Sequence, residues 1–475
     1  MSAAQRALRR EAALPALRLD AAGGRHIDMR SIAAMALPLV LNSTVQAVLN
    51  LTDTWFIGRL STSATAAIAS IHWLALLAIF LIGGVAMGVQ TLAAQAFGAG
   101  RYRRSSRVAW LGLWASALTI PAFGLTVIFG PSMIRGFGLA PDVESLAIEF
   151  WIPRMIGGPL AAALWAANAF FNGIGRTRIT LAVGLIVLGS NAVLNEIFIF
   201  RFGWGMAGAA WATTTAELIG ITLAIRMILS MEPRFAARLT WRPQFKRIVA
   251  LVALGLPMAM TASADLGAAA LFQLMMVQFG VVDGAATQIV TIFTALAYMP
   301  GIGLALAGTT LVGQAIGAGD HGWAERLGDR VIAIVACYMG GIGIVIALVG
   351  DWLVPLFVNP ADARAAEVIA LCSSLLWLAA AYQFFDGVNF ASAFCLRGAG
   401  DARVPALIVL ACGTLVFLPL THFLTFAPGE GWFDAAPGLG FGAVGGWCAI
   451  LVYVLLIGSA LWLRWKNGAW KRIRL

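Results

Sequence analysis

The chain has 475 residues, of which 60% are hydrophobic and only 11% are charged, and its mean hydropathy is +0.87. A soluble domain carries roughly a quarter charged residues, so this composition excludes a soluble globular protein and predicts a polytopic membrane protein. The net charge of +10 does not indicate a nucleic-acid partner, because nearly all basic residues lie in the segments between apolar runs.

A basic tail at 1–30 precedes the first apolar run. The tail is rich in Ala and Arg, and Glu11, Asp20 and Asp28 are its only acids. It lacks the apolar stretch of a secretory signal peptide. We therefore expect a cytoplasmic tail that lies on anionic lipid; an organellar transit sequence has a similar composition and stays open as the alternative.

Twelve apolar segments are long enough to cross a membrane, since a spanning helix needs about 20 mostly apolar residues. None alternates with the period of two that a barrel strand requires. Lipid offers no partner to unpaired backbone groups, so we predict helices. In chain order the segments lie near 32–57, 64–92, 108–129, 146–170, 179–200, 205–229, 248–279, 285–312, 331–350, 367–394, 404–426 and 439–463.

The distribution of basic residues predicts the orientation of these helices. Of the 32 Lys and Arg residues, 27 lie on the side of the N-terminal tail, four lie on the other side, and Arg154 lies inside a span. Cytoplasmic segments carry the excess of Lys and Arg. Both termini are therefore expected in the cytoplasm, which requires an even number of spans.

The chain also repeats itself at long range. The stretch ALPLV at 36–40 recurs as GLPMA at 255–259, and AAQAFGAG at 93–100 recurs as VGQAIGAG at 312–319, so the numbering of both pairs differs by 219. Further on, NGIGRTR at 172–178 matches RGAGDAR with an offset of 225, and GMAGAAWA at 205–212 matches GAVGGWCA with an offset of 237. Both copies start on the same side of the membrane, so the repeat is parallel.

This repeat predicts an all-α polytopic membrane protein with twelve transmembrane helices in two pseudo-symmetric six-helix lobes. Transporters with such repeats hold their substrates between the halves, near the middle of the membrane. The predicted parts are a tail at 1–30, an N-lobe at 31–230, a basic cytoplasmic linker at 231–247, a C-lobe at 248–464 and a second cytoplasmic tail at 465–475.

The first span carries a polar stripe. Asn42, Gln46, Asn50 and Asp53 are spaced by four, four and three residues, which places them on one face of a helix over about 16 Å. A charge at the centre of a bilayer costs at least about 2.5 kcal/mol, so such residues are expected to serve function. The alternative, an interfacial Asp53 beside Arg59, explains the acid but not the stripe.

Two more acids lie inside the apolar segments of the second half. Asp265 has no basic residue within its span, and Asp386 has Gln383 and Asn389 three residues before and after it. We expect both acids to be functional, and buried structural pairing is the alternative.

The fifth and sixth spans add further polar residues. Asn191 and Asn195 are four residues apart, Glu196 follows directly, and Glu217 lies in the next span. A purely structural hydrogen-bonding role for the two Asn stays open, and Glu217 is equally compatible with contact to a neighbouring helix.

The acids are not part of the repeat, although the glycine motifs are. Acids whose only role was to hold the two halves together would be expected at equivalent positions of both halves. The counterparts are Phe272 for Asp53, Gln46 for Asp265 and Ala161 for Asp386.

The combination of LP followed by TDTWFIGRL, AQAFGAG with its echo GQAIGAG, and YQFFDGVNFASAFCLRGAGD resembles the MATE family of multidrug and toxin extrusion antiporters. The similarity extends from Met29 to Arg464. It implies export of organic, often cationic compounds in exchange for Na⁺ or H⁺ by alternating access of two lobes. We expect a monomer in the bacterial inner membrane.

The resemblance assigns roles to individual residues. Asp53 matches the family's aspartate on helix 1, Asp386 matches an aspartate on helix 10, and Asn191 and Asn195 match a pair on helix 5. Asp265 falls on helix 7 where the NorM-like branch usually has Glu and where the DinF-like branch lacks an acid. With three acids, the chain is therefore more similar to NorM-like than to DinF-like members. Asp in place of Glu, and Glu196 after the second Asn, leave the coupling ion open.

The expected site for substrate and coupling ion thus comprises Asp53, Asp265, Asp386, Asn191, Asn195, Glu196, Gln46, Asn50 and Gln383. Na⁺ would bind transiently at Asp265 and Asp386 or at Asp53, and no cofactor or resident metal is expected. The expected partners are small organic cations and membrane lipid, with Trp55 and Tyr298 as candidates for stacking on a cation.

Three other functions are weighed against this one. A flippase for lipid-linked saccharides would favour basic residues in its cavity, whereas the spans hold acids and essentially one Arg. A membrane-embedded enzyme lacks support, since no H-E-x-x-H or G-x-S-x-G motif occurs. A channel would fit the polar stripe but accounts less well for acids that differ between the halves.

Overall fold

The computed structural model describes residues 14–358, 363–432 and 437–473; the part of the predicted tail before Leu14 lies outside them. The helices are α1 Met29–Gly58, α2 Thr62–Gly83, α3 Gly88–Gly98, α4 Tyr102–Ala117, α5 Ile120–Arg135, α6 Pro141–Gly173, α7 Thr177–Asn195, α8 Gly205–Leu229, α9 Phe245–Phe279, α10 Val281–Gly317, α11 His321–Leu353, α12 Ala365–Ala399, α13 Arg403–Cys412, α14 Leu418–Thr425 and α15 Gly442–Lys466.

Each of the twelve predicted spans coincides with helical structure, so the predicted all-α polytopic fold is confirmed. By length and composition, eleven helical segments of the described chain qualify as membrane spans. The predicted span outside this set is α6, which is 33 residues long but contains Pro153, Arg154 and Pro159. The helices extend beyond most predicted bounds because their ends carry charged and small residues that a search for apolar runs leaves out.

Several spans are bent or interrupted at defined places. Pro38 lies inside α1, where it removes one backbone hydrogen bond, and a 3₁₀ turn at Gly84–Met87 separates α2 from α3. The fifth span of each lobe contains a π-helical turn, at Glu196–Arg201 and at Gly413–Phe417. Such turns are rare overall but are often found at functional sites. The two turns do not occupy equivalent positions of the repeat, since Glu196 and Gly413 differ by 217, whereas the repeat motifs on either side of them have offsets of 225 and 237.

The larger buried apolar clusters each lie mostly within one lobe. In the N-lobe one cluster surrounds Trp151 and another surrounds Phe170, whereas in the C-lobe the clusters surround Trp465 and Phe272. Two of these clusters also reach into the other lobe, since the Trp465 cluster includes Ile32 of α1 and the Phe170 cluster includes Leu251 of α9. Apolar contacts therefore join the lobes as well as fill their interiors.

The lobes meet in two equivalent sets of hydrogen bonds, which we call the terminal seam. Gln95 Nε2 donates to the carbonyl of Gly398 at 3.0 Å, and its repeat counterpart Gln314 donates to the carbonyl of Gly173 at 2.9 Å. These are positions that the offsets of the sequence repeat pair. The repeat therefore corresponds to a pseudo-two-fold axis between the lobes.

Two threonines repeat the same arrangement. The Thr91 hydroxyl donates to the carbonyl of Arg397 at 2.8 Å, and the Thr310 hydroxyl donates to the carbonyl of Asn172 at 2.9 Å. Gln90 adds a bond to a carbonyl of α10 at 3.0 Å. All of these bonds join the predicted N-lobe to the predicted C-lobe.

Glycines let the backbones approach closely at the terminal seam. A Cβ atom added to Gly98 would lie 2.0 Å from the carbonyl oxygen of Gln314, and one added to Gly317 would lie 2.1 Å from that of Gln95. No side chain fits at either position without moving the backbone of the other lobe.

Both described chain ends pack on the face of the molecule that carries the terminal seam, here called the terminal face. Leu17–Leu19 (β1) and Arg25–Ile27 (β2) form a short antiparallel hairpin. Trp323 Nε1 donates to the Pro15 carbonyl at 2.9 Å, and Trp470 stacks on Trp465. The hairpin is thus anchored on the C-lobe, which the sequence did not predict.

Candidate functional site

Asp53 lies near the far end of α1 and is held by side chains from α7 and α8. Asn195 Nδ2 donates to Asp53 Oδ1 at 2.7 Å, and the Thr213 hydroxyl donates to Asp53 Oδ2 at 3.1 Å. Both carboxylate oxygens therefore have a donor. Hydrogen bonds to a charged group are worth about 1.5–3 kcal/mol each, so this contact fixes α1 against the fifth and sixth spans.

The two asparagines close a ring around this carboxylate. Asn195 Nδ2 also donates to Asn191 Oδ1 at 3.1 Å, and Asn191 Nδ2 donates to the Thr213 hydroxyl at 3.2 Å. Both asparagines are fully buried. Asn195 Oδ1 has no hydrogen-bond partner among the described residues, so the ring offers one unused buried acceptor beside an anion.

A second charged pair lies in the same lobe. Arg154 Nη1 and Glu217 Oε2 are 3.0 Å apart, and both side chains are largely buried. Arg154 also interacts electrostatically with Asp53, as does Glu217. Because Glu217 already neutralises Arg154, the charge of Asp53 remains available to another cation. Glu217 of α8 therefore contacts a neighbouring helix, α6, through an ion pair, which is one of the two roles that the sequence left open for it.

In the C-lobe, Asp386 is held by its own helix. Asn389 Nδ2 donates to Asp386 Oδ1 at 3.1 Å, and the Tyr382 hydroxyl lies 3.2 Å from Asp386 Oδ2. The three residues are spaced by four and three positions, so they share one face of α12. Asp386 is only 3% exposed.

Asp265 on α9 joins this group from across the lobe. It interacts electrostatically with Asp386 and with Arg397, and Tyr298 on α10 interacts with both acids. Tyr298 packs its ring edge-on against Phe390 at 4.9 Å. The structure therefore brings Asp265, Asp386 and Tyr298 together in the C-lobe.

None of Asp53, Asp265 and Asp386 has a basic side chain within 4 Å in the described parts of the chain. Other acids do: Asp401 lies 2.8 Å from Arg464, and Asp329 lies 2.7 Å from Lys466. A buried charge is retained at a cost unless it is paired. Three acids without a close cation are therefore suited to accept a cation from outside the protein.

Arg397 is a residue of this site that the sequence analysis missed, because it was counted only as a basic residue of a cytoplasmic segment. Its guanidinium lies over the Phe394 ring at 4.6 Å and interacts electrostatically with Asp265 and Tyr298. The repeat contains the signal that could have found it. Its counterpart is Asn172, so the C-lobe carries both the additional acids and this additional base.

Four of the predicted site residues are not joined to these groups. Gln46 and Asn50 are exposed, and no hydrogen bond of the described chain links their side chains to Asp53. Glu196 is half-buried and begins the π-helical turn. Gln383 donates to a carbonyl of α10 at 2.9 Å and so joins α12 to α10. Of the α1 stripe, Asp53 is thus the member that side chains of other spans hold, whereas Gln46 and Asn50 stay accessible and remain predicted site residues.

Within the described residues, no group of three His, Cys, Asp or Glu side chains could hold a metal ion. The acids are surrounded instead by amide and hydroxyl groups, which provide oxygen donors of the kind that hard cations prefer.

Two stretches of the chain, 38–197 and 257–423, match the family model described as MatE. They start at Pro38 and Pro257, the two prolines that the sequence repeat pairs. The chain is 30% identical over 453 residues to the probable multidrug resistance protein NorM of Rhizobium meliloti, covering 91% of each protein. It is 29% identical over 432 residues to the probable multidrug resistance protein NorM of Pseudomonas aeruginosa, covering 88% of each.

Solved structures share the fold at lower sequence identity. An outward-facing multidrug resistance MATE family transporter of the MOP superfamily is 19% identical with a TM-score of 0.79, over 93% of this chain and 96% of that one. A MOP superfamily transporter from Pyrococcus furiosus, described as having a binding pocket of reverse polarity, is 18% identical with a TM-score of 0.78 over the same shares. The chain belongs to the MatE family and is a NorM-like member of it.

Proposed function

We propose that this protein is a secondary active antiporter that exports small organic cations in exchange for Na⁺ or H⁺. It works in the inner membrane of a bacterium, with both termini in the cytoplasm. The observation that carries the proposal is a set of carboxylates inside the spans, the half-buried Asp53 in one lobe and the half-buried Asp265 with the buried Asp386 in the other, that have no basic partner within 4 Å in the described chain. The relatives named as multidrug resistance proteins support efflux of several compounds.

The donors around the acids support a shared site for substrate and ion. Asp53 is held by amides and a hydroxyl, and Asp386 by an amide and a phenol, none of which carries charge. A carboxylate in such surroundings attracts a lipophilic cation, Na⁺ or H⁺, but holds only one at a time. This competition couples export to ion entry, because the substrate leaves when the ion takes its place.

The terminal seam supports alternating access. It closes the terminal face with two equivalent sets of hydrogen bonds between the lobes. The excess of basic residues on the same face supports its placement on the cytoplasmic side. With that placement, the closed seam shuts the acids off from the cytoplasm, and breaking the seam would expose them to it.

The same charges weigh against transport of a phosphate-bearing lipid-linked saccharide. Such a cargo needs a cluster of free basic side chains, whereas Arg154 is paired with Glu217 and Arg397 interacts with Asp265. The reversed pocket polarity described for the Pyrococcus furiosus protein indicates that the fold alone does not decide the charge of the cargo. The side chains of this chain have to decide it.

The test is efflux of a fluorescent organic cation from proteoliposomes with a Na⁺ gradient and a pH gradient imposed separately. We expect one of the two gradients to drive efflux, and Asp386→Asn to abolish it while the protein stays folded. Asp351→Asn is the matched control, since Asp351 is exposed and accepts a hydrogen bond from Ser373. Undiminished gradient-driven efflux by Asp386→Asn, or no response of the wild type to either gradient, would refute the proposal.

A further inference from the structure

The N-terminal hairpin and helix α11 line an open cavity at the terminal face that no step of the antiport uses. We call it the hairpin cavity, and its volume is ≈ 540 Å³. The segment from β2 to the start of α1 contributes one wall, and the beginning of α11 contributes the other. The residues that matter are Arg25, His26 and Met29 from the first wall, and Arg326, Arg330 and Ala333 from α11.

Charge distinguishes the hairpin cavity, because basic side chains from two separate parts of the chain face it. Arg326 and Arg330 are four residues apart, so they lie on one face of α11, and both are exposed. In the described part of the chain neither side chain forms a hydrogen bond or an ion pair. Asp329 also lines the cavity, but it is engaged by Lys466 at 2.7 Å and by Trp465 Nε1 at 3.0 Å.

The hairpin places a third basic side chain at the same cavity. Arg25 Nη1 lies 2.9 Å from Asp320 Oδ2, and this contact fixes β2 beside the start of α11. The Trp323 indole, which donates to the Pro15 carbonyl, also holds the hairpin in place. The cavity is therefore built by tertiary contacts between segments far apart in the sequence.

The hairpin cavity opens toward the apolar part of α11. Arg330 is the last charged residue before the run VIAIVACYMGGIGIVIALVG at 331–350. Ala333 and Cys337 continue the face of Arg326 and Arg330 and are exposed, as is Met29 on the hairpin side. A ligand with a phosphate at the arginines would thus have an apolar surface beside it.

We propose that the hairpin cavity binds the phosphate headgroup of an anionic membrane lipid. Arginines bind phosphate through paired N–H donors, and basic pockets beside spanning helices on the cytoplasmic side bind lipid headgroups. The cytoplasmic placement of the terminal face rests on the orientation proposed above. Free phosphate would satisfy the arginines equally, but the exposed apolar surface next to them favours a ligand with acyl chains.

The repeat argues against a general excess of positive charge as the explanation. The N-lobe counterpart of Arg326 is Arg107, but the counterpart of Arg330 is Leu111, and the hairpin packs on the C-lobe. A lipid bound here would bridge the hairpin, which continues into α1 of the N-lobe, and α11 of the C-lobe. It would therefore stabilise the closed terminal face.

The test measures lipid retention by native mass spectrometry, after purification from nanodiscs that contain phosphatidylcholine with or without phosphatidylglycerol. The variant is the double substitution Arg326→Gln and Arg330→Gln. The matched control is Arg103→Gln with Arg107→Gln, a pair with the same spacing on the N-lobe. Each basic side chain near an anionic membrane surface contributes enough that losing two should weaken retention of phosphatidylglycerol about thirtyfold.

We expect the loss in the Arg326/Arg330 variant alone, with phosphatidylglycerol not displaced by inorganic phosphate. Equal loss in the control pair, or unchanged retention in the variant, would overturn the proposal. Displacement by inorganic phosphate would assign the cavity to free phosphate and would also overturn it. Size-exclusion chromatography of each variant checks the fold. Because no transport is measured, the result does not depend on the proposed antiport.

Discussion

Replacing Gly98 by Ala should open the terminal seam without touching any charged residue. The added Cβ would lie 2.0 Å from the carbonyl oxygen of Gln314, whereas ordinary van der Waals contact begins at 3.4 Å. The two backbones must separate by the difference between these distances. The two atoms belong to helices of different lobes, so the movement displaces the lobes relative to each other and not a single side chain.

The energetic effect follows from this separation. Overpacking by one methyl group costs about 1–3 kcal/mol. A shift of this size also lengthens the bonds from Gln95 to Gly398 and from Gln314 to Gly173, now 3.0 and 2.9 Å, beyond hydrogen-bonding distance. Each lost bond adds about 1 kcal/mol. The closed terminal face should thus be destabilised by about 3–5 kcal/mol, which is enough to make an open state dominant if the two states differ by a few kcal/mol.

The assay is a distance measurement between spin labels at Arg103→Cys and Gly322→Cys, which are exposed counterparts in the two lobes, in a chain whose five cysteines are replaced. We expect longer distances for Gly98→Ala than for the parent. Gly189→Ala is the control, since nothing lies within 4 Å of its added Cβ. A distance distribution for Gly98→Ala that matches that of Gly189→Ala would refute the reasoning.

Three further predictions concern the charged groups. Asn195→Ala leaves Asp53 Oδ1 without its donor and should lower the free energy of unfolding by about 1.5–3 kcal/mol, as measured by thermal denaturation in detergent; no change would mean that the bond is replaced by water. Glu217→Gln leaves Arg154 buried without a charge partner and should lower the free energy of unfolding by about 3–5 kcal/mol. Replacing both residues by apolar ones should lower it much less, and equal losses in the single and the double variant would contradict this reasoning. Arg397→Gln removes the cation beside Asp265 and should strengthen binding of an organic cation about tenfold, as measured by titration calorimetry. Arg403→Gln, at an exposed position, is the control and should leave the affinity unchanged. An unchanged affinity of Arg397→Gln would show that the charge of Arg397 does not reach the site.

The fold was predictable because a membrane imposes few solutions on an apolar chain. Lipid forces the backbone into helices, so the twelve predicted runs of about 20 apolar residues all coincide with helical structure, and eleven helical segments of the described chain qualify as spans. The shared offset between the two prolines and the two glutamines predicted the symmetry, and Gln95 and Gln314 occupy equivalent places in the seam. The contact between Asn191 and Asn195 follows from their spacing of four on one helix.

The features that were missed depend on contacts that sequence periodicity does not contain. The hairpin has strands of only three residues, and its place is set by Trp323 and Asp320 from the other lobe. Arg397 looked like a residue of a cytoplasmic segment, but its side chain interacts with an acid inside the protein. Gln46 and Asn50 share a face with Asp53 on an ideal helix, yet neighbouring helices cover only part of that face.

The terminal seam is assembled twice from the same parts, and this duplication limits what it can control. Its two sets of hydrogen bonds are related by a two-fold axis and hold both lobes in the same way. They therefore cannot make the two lobes function differently. Any functional difference between the lobes has to come from features that break the symmetry. These features are the charged side chains without a repeat counterpart and the hairpin that packs on the C-lobe alone. A pump built on so nearly symmetric a frame would owe its polarity to a handful of side chains.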